Sequence, residues 1–170
     1  MDEDIHTKEV YAHFGLAIYE AQVLEHGIVN SLVYCDLIPS KAKAVNTKEE
    51  WASLFDAFMD SHFETTLGRM IKALKTVFPI TLELEENLSE SLKLKNWLVH
   101  HYFKDRVHLF LSFAGRNEMI LELSRANDLF EKTDRELVTL IKPIRQRYGF
   151  RDDIIQKNYA EYITDNTPKI

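Results

Sequence analysis

Tyr11, Phe14, Ile18, Ala21, Ile28, Leu32 and Cys35 recur at alternating three- and four-residue steps. No other feature narrows the possible folds as far. At 3.6 residues per turn this spacing lays one apolar stripe along a single long helix, from roughly Thr7 to Asp36. Glu25 falls in the one slot the stripe leaves open, next to His26. A carboxylate there is either functional, or at the edge of the stripe, or paired with a buried donor. The heptad-like step also makes the helix a candidate dimer seam, although packing within one bundle gives the same pattern.

The rest of the chain repeats the helical theme. After a connector with Pro39 and Asn46, Thr47 and Glu50 form a capping-box pattern ahead of Trp51, Leu54, Phe55 and Phe58. Phe63, Leu67, Met70, Leu74 and Val77 continue at helical spacing up to Pro79. Residues 47–78 are thus one helix or two, with Gly68 as a weak point. Leu84, Leu88, Leu92, Val99 and Tyr102 predict a helix reaching about Arg106, and a break is expected in Val107–Gly115. Ile120, Leu123, Asn127, Phe130, Leu137, Ile141 and Ile144 predict a last long helix, in phase through Thr133-Asp134, with Pro143 near its end. Ile154, Ile155, Tyr159 and Tyr162 predict a short docking helix before a frayed tail.

Only 5 Gly and 4 Pro leave few tight turns, which argues against an all-β fold. The expectation is an all-α bundle of four to six helices forming one domain over residues 1–150, with residues 151–170 as a short helix and tail docked on it. The single Cys35 rules out an internal disulfide framework. The acidic start, with no secretion signal, and the lack of a long apolar run point to a cytoplasmic protein without a membrane span. Charge is uneven: residues 92–170 carry 14 basic and 11 acidic groups, whereas the whole chain is at −6. Overall acidity disfavours non-specific coating of DNA but allows a local basic groove in the second half.

One stretch is dense in polar chemistry inside an apolar helix: Lys95-Asn96-Trp97-Leu98-Val99-His100-His101-Tyr102-Phe103. On a helical projection Asn96 and His100 flank one side of the stripe through Leu88, Leu92, Val99 and Phe103. Lys95 and Tyr102 flank the other. A cation, an amide, an imidazole and a phenol would then line a groove against a neighbouring helix. The bland account is lysine snorkelling, Asn96 and His100 bonded to that neighbour, and Tyr102 and Phe103 in the core.

Lys95-Asn96-x-x-x-His100-x-Tyr102 resembles the Arg-x4-His-x-Tyr signature of HEPN domains, helical bundles frequent in bacterial toxin–antitoxin and defence systems. The wider text, from Tyr11-Ala12-His13-Phe14-Gly15 to Gly115-Arg116, resembles a group of uncharacterised bacterial proteins with that signature. The resemblance implies an antiparallel bundle, a homodimer with two motif helices across one cleft, RNA or a nucleotide as ligand, and metal-independent RNA cleavage. It implies that His100 acts as acid or base and Lys95 holds the phosphate, with Asn96 and Tyr102 positioning the substrate. It also implies a cognate antitoxin or nucleotidyltransferase as partner. The chemistry is coherent: attack of a 2′-hydroxyl on the adjacent phosphate needs proton transfer and positive charge on the phosphoryl oxygens. Members that cleave usually carry arginine where this chain has Lys95. Lysine supplies charge without the planar fork, which favours binding over efficient cleavage.

The alternative class is a non-catalytic helical module for dimerisation or protein interaction. Seven histidines also raise a metal reading. A di-iron bundle needs two Glu-x-x-His pairs on facing helices, and the chain does not carry two; Asp105-x-x-His108 is a single aspartate version. No metal or other cofactor is expected. Arg145, Arg147 and Arg151, interleaved with Tyr148 and Phe150, are read as cations favoured at a helix C-terminus rather than as a nucleic-acid patch.

Overall fold

The computed structural model describes residues 3–166, and among them the chain is almost wholly helical, with no strand. Met1-Asp2 of the acidic start and residues 167–170 of the expected tail lie outside the described residues.

Helix α1 spans Glu3–Leu32 and runs into a π-helical turn, Val33–Leu37, followed by the single turn α2, Ile38–Lys41, and a 3-10 turn, Ala42–Ala44. Its buried stripe is Val10, Ala17, Ala21, Leu24, Ile28 and Leu32, with Phe14 and Ile18 packed alongside. The stripe read from spacing is therefore rotated by about one residue over part of its length. Tyr11 is exposed, and Leu24 rather than Glu25 fills the empty slot. Two overlapping three–four ladders exist in this stretch, and periodicity alone cannot choose between them. Cys35 lies in the π turn, half buried. Burial, reinforced by the Asp36 charge, pushes its thiol up to about 11, so it is protonated and unreactive near neutrality.

The stripe packs within the molecule, against a 35-residue helix, α8, Phe113–Arg147. In number order the later helices are α3 (Lys48–Phe63), α4 (Leu67–Val77), α5 (Leu82–His100), α6 (Tyr102–Asp105), α7 (Val107–Phe110), α8 and α9 (Asp152–Asn166). Helix α8 is continuous through Thr133-Asp134, as its phase predicts, and buries Met119, Leu123, Ala126, Phe130, Leu137 and Ile141. Ser112 caps its start by accepting from Gly115 N–H at 3.0 Å. Its end is a Schellman motif: Phe150 N–H donates to Arg145 O at 3.2 Å and Gly149 N–H to Gln146 O at 3.0 Å. Gly149, at φ +84°, supplies the left-handed residue this motif needs.

Matching positions on α1 and α8 rise together. His6 bonds Asn117 at 2.9 Å, His13 bonds Ser124 at 3.4 Å, and Gly27 faces Asp134. The two long helices are therefore parallel, and residues 33–112 form the crossover between them. Helix α5 runs antiparallel to both: Lys95 pairs with Glu25 and Phe14 stacks on Tyr102, while Ser91 meets Thr133 at 3.3 Å and Tyr102 reaches Met119. The expected antiparallel order holds around α5 but not for the central pair.

Residues 47–78 are two helices. Thr47 and Glu50 form the full capping box, and the break falls at Glu64–Thr66 rather than at Gly68. Gly68 instead lets α4 close on α5, because a Cβ there would lie 3.3 Å from Leu92 Cδ2. Helix α5 stops at His101 (φ −134°, ψ −20°) instead of reaching Arg106. No glycine or proline stands there, so tertiary contacts fix the break. Tyr102 is 1% exposed and donates to Met119 O at 3.2 Å, and Trp97 Nε1 donates to Asp105 at 2.9 Å. Arg106 clamps Glu122 through two hydrogen bonds, at 2.9 and 2.6 Å.

Helix α9 meets the bundle at its start, where Ile155 is half buried. Asp152 is held by Lys142 at 2.6 Å and by Arg145, but Ile154, Tyr159, Tyr162 and Ile163 are exposed. Arg151 pairs with Asp153 at 2.8 Å, and Phe150 rests on Tyr34. Among the described residues no helix is long and apolar enough to cross a membrane.

Two expected outcomes test this packing. A Cβ on Gly115 would stand 2.6 Å from Leu109 Cα, in backbone that cannot swing aside. Gly115→Ala should thus cost about 1–3 kcal/mol in denaturant unfolding despite alanine's better helix propensity. Asp134, on the α1–α8 seam, has its carboxyl held above the usual range by burial and then by the Glu20 charge. The folded state therefore binds that proton more tightly than the unfolded one, and stability falls as pH rises through the shifted value. Asp134→Asn should raise the melting temperature at pH 7, with the gain vanishing below the ordinary aspartate pKa of about 4.

Candidate functional site

The C-terminal half of α5 presents Leu92, Lys95, Asn96, Val99 and His100 to an open cleft of about 520 Å³. Glu25 of α1 closes one wall, and the start of α4, Thr65-Thr66-Leu67-Gly68, closes another. Three elements distant in sequence thus converge, and the crossover topology is what brings them together.

Lys95 and Glu25 form an ion pair across the cleft, with side chains only 24% and 16% exposed. The ammonium is therefore fixed in place, with its charge largely offset. Glu25 was expected as a functional carboxylate, at the edge of the stripe, or as a partner for a buried donor; it stands beside the buried Leu24 and is the counter-ion of Lys95.

Asn96 and His100 are both exposed, and among the described residues neither is hydrogen-bonded to the protein. The bland expectation that they bond a neighbouring helix does not hold. An amide and an imidazole facing solvent beside a fixed cation are free to meet a ligand.

The start of α4 adds a feature that the sequence reading missed. Thr66 is its N-cap but makes no side-chain cap bond, while Thr65 Oγ1 is turned back to His62 O at 2.7 Å. The N–H groups of Leu67 and Gly68 belong to the first turn, where no carbonyl within the helix can accept from them. The positive end of the helix dipole therefore opens into the same cleft as Lys95. Thr66-x-Gly68 is a weak signal on its own, and nothing in its spacing ties it to α5.

Tyr102 is placed elsewhere. It sits in the core and not in the cleft, between Phe14, Trp97 and Phe103, with its hydroxyl on Met119 O. Burial, with the Glu122 charge adding to it, pushes its phenol well above the ordinary tyrosine range. It stays protonated and anchors the turn after His100. The projection that paired it with Lys95 assumed one unbroken helix through His101. The helix ends there, so the phase relation is lost.

Among the described residues no three His, Cys, Asp or Glu side chains converge. Asp105 is taken by Trp97, and His6 lies between Asn117 and the buried Arg116.

The Glu25–Lys95 pair makes a stability prediction. Lys95→Met strands a largely buried carboxylate and should cost about 1–3 kcal/mol, less than a fully buried pair. Adding Glu25→Gln to that variant should recover part of the loss, giving a coupling energy in a double-mutant cycle of unfolding.

No family model, no curated protein and no solved structure matches this chain, so the cleft is read from its own geometry.

Proposed function

We propose that this chain is a HEPN-like RNA- or nucleotide-binding protein whose cleft receives a phosphate. Any RNA cleavage is slow and metal-independent, and the setting is a toxin–antitoxin or defence system. One observation carries the reading: Lys95, Asn96 and His100 share an open cleft with the uncapped start of α4. Each group offers a phosphate something different. The Leu67 and Gly68 N–H groups donate along the helix dipole, Lys95 adds charge, Asn96 orients, and His100 donates or accepts a proton.

The same geometry supports binding over chemistry. Glu25 already satisfies Lys95, so an incoming phosphate competes with a built-in carboxylate. In 2′-hydroxyl attack the O2′–P bond forms and the P–O5′ bond breaks. One proton must leave the 2′-oxygen while another reaches the 5′-oxygen. A single imidazole cannot do both at once, and a second copy of the chain in a homodimer would supply the other.

The alternative, a non-catalytic helical interaction module, draws on the exposed Val107 and Leu111 beside the motif.

The test follows labelled single-stranded RNA in the presence of chelator. Wild type should bind it, and Glu25→Gln should tighten binding several-fold by releasing Lys95. His100→Ala should cut any cleavage by about 10²-fold or more while leaving the fold intact, and Lys95→Arg should raise it. Undiminished cleavage by His100→Ala would remove that residue from the chemistry. A wild type that binds neither RNA nor nucleotide would overturn the reading.

A further inference from the structure

The motif region is a local reversal of charge. Residues 93–116 carry five basic side chains, Lys93, Lys95, Lys104, Arg106 and Arg116, against the single acid Asp105, in a chain whose net charge is −6. His100, His101 and His108 fall in the same segment. Arg106 and Arg116 are engaged internally, with Glu122 and with Phe110 O. Lys104 has no ion-pair partner among the described residues, and it is exposed together with His100, His101 and His108.

Within this segment an aromatic cluster reaches the surface. Tyr11 of α1 meets Phe103 of α6 at 5.9 Å and Phe110 of α7 at 5.7 Å between ring centres, and Phe14 backs Phe103 at 4.9 Å. Tyr11 is 53% and Phe103 36% exposed, while Phe14 and Phe110 are half buried and hold them from behind. The rings are thus fixed by packing yet open to solvent. Fixed rings lose little entropy when a second flat group settles on them.

We propose that Tyr11 and Phe103 form a stacking platform for unpaired bases of single-stranded RNA, adjoining the phosphate cleft. The inference rests on the phosphate-binding reading of that cleft. Phe103 follows His100 by only three residues, so their Cα atoms lie at most about 11 Å apart, a separation that one or two nucleotides bridge. The occupant is chosen by charge: Lys104, exposed and adjacent in sequence to Phe103, suits a polyanion, and stacking accepts any base because every base has a π face.

The experiment uses the full chain and two labelled oligoribonucleotides of equal length, one U-rich and one abasic. Wild type should bind the abasic strand on the order of ten-fold more weakly, as the loss of stacked bases requires. Tyr11→Leu and Phe103→Leu keep apolar bulk but remove the ring. Each should weaken binding of the U-rich strand by a similar factor and leave the abasic strand unaffected. Equal wild-type affinity for both strands overturns the platform and leaves the cleft reading standing. Binding of neither strand overturns both. A wild-type dimer, seen by sedimentation, that either leucine variant splits into monomers makes this face a self-association surface and also overturns the proposal.

Discussion

The parallel seam between α1 and α8 is the constraint on which the rest of the molecule depends. Its buried ladders, Val10-Ala17-Ala21-Leu24-Ile28 and Met119-Leu123-Ala126-Phe130-Leu137, keep three- and four-residue steps over most of both helices. Such ladders interlock at a shallow crossing angle. Ala17, Ala21, Gly27 and Ala126 let the backbones close. Two parallel helices cannot be joined by a short turn, so eighty residues must travel back along the bundle. That return path delivers α4 and α5 to the side of α1 where Glu25 stands. The cleft is thus a product of the crossover: its three walls come from before it, within it and near its end.

Electrostatics in the cleft turns on the Lys95–Glu25 pair. With both side chains largely shielded, the attraction between them is stronger than at an open surface, and removing either partner leaves a poorly solvated charge. The pair therefore holds α5 against α1 and also governs what charge the cleft offers. Arginine in the Lys95 position would grip a carboxylate with two parallel hydrogen bonds; lysine makes a point contact.

Much of the fold is legible in the sequence because it rests on local chemistry. The Thr47–Glu50 box caps α3 as its spacing requires, and α8 keeps its phase through Thr133-Asp134. Failures occur where tertiary contacts overrule local signals. The α1 stripe could be drawn through Tyr11 and Glu25 or through Val10 and Leu24, and only the partner helix decides. The end of α5 at His101 has no local marker. It is set by Tyr102 reaching Met119 and by Arg106 reaching Glu122, contacts sixteen and seventeen residues away. Of the four side chains, Lys95, Asn96 and His100 lie together, whereas Tyr102 takes the core position that was the alternative reading for it, because its phase beside Lys95 does not carry across that break. The α4 wall was invisible, since an unused N-cap has no signature at a distance.

Tyr102 shows what the break achieves. Had α5 continued to Arg106, Phe103 would have stayed on the same helix face as Val99, continuing the stripe along α5. Stopping at His101 sinks Tyr102 into the core and brings Phe103 against Tyr11, on a helix almost a hundred residues earlier in the chain. The price is a buried phenol, met by one hydrogen bond to Met119 O and by contacts with three aromatic rings. The return is a rigid corner holding His100 at the mouth of the cleft and Phe103 at the surface. Tyr102, two residues after His100, then needs no contact with a ligand. By fixing the corner, it sets where the imidazole stands.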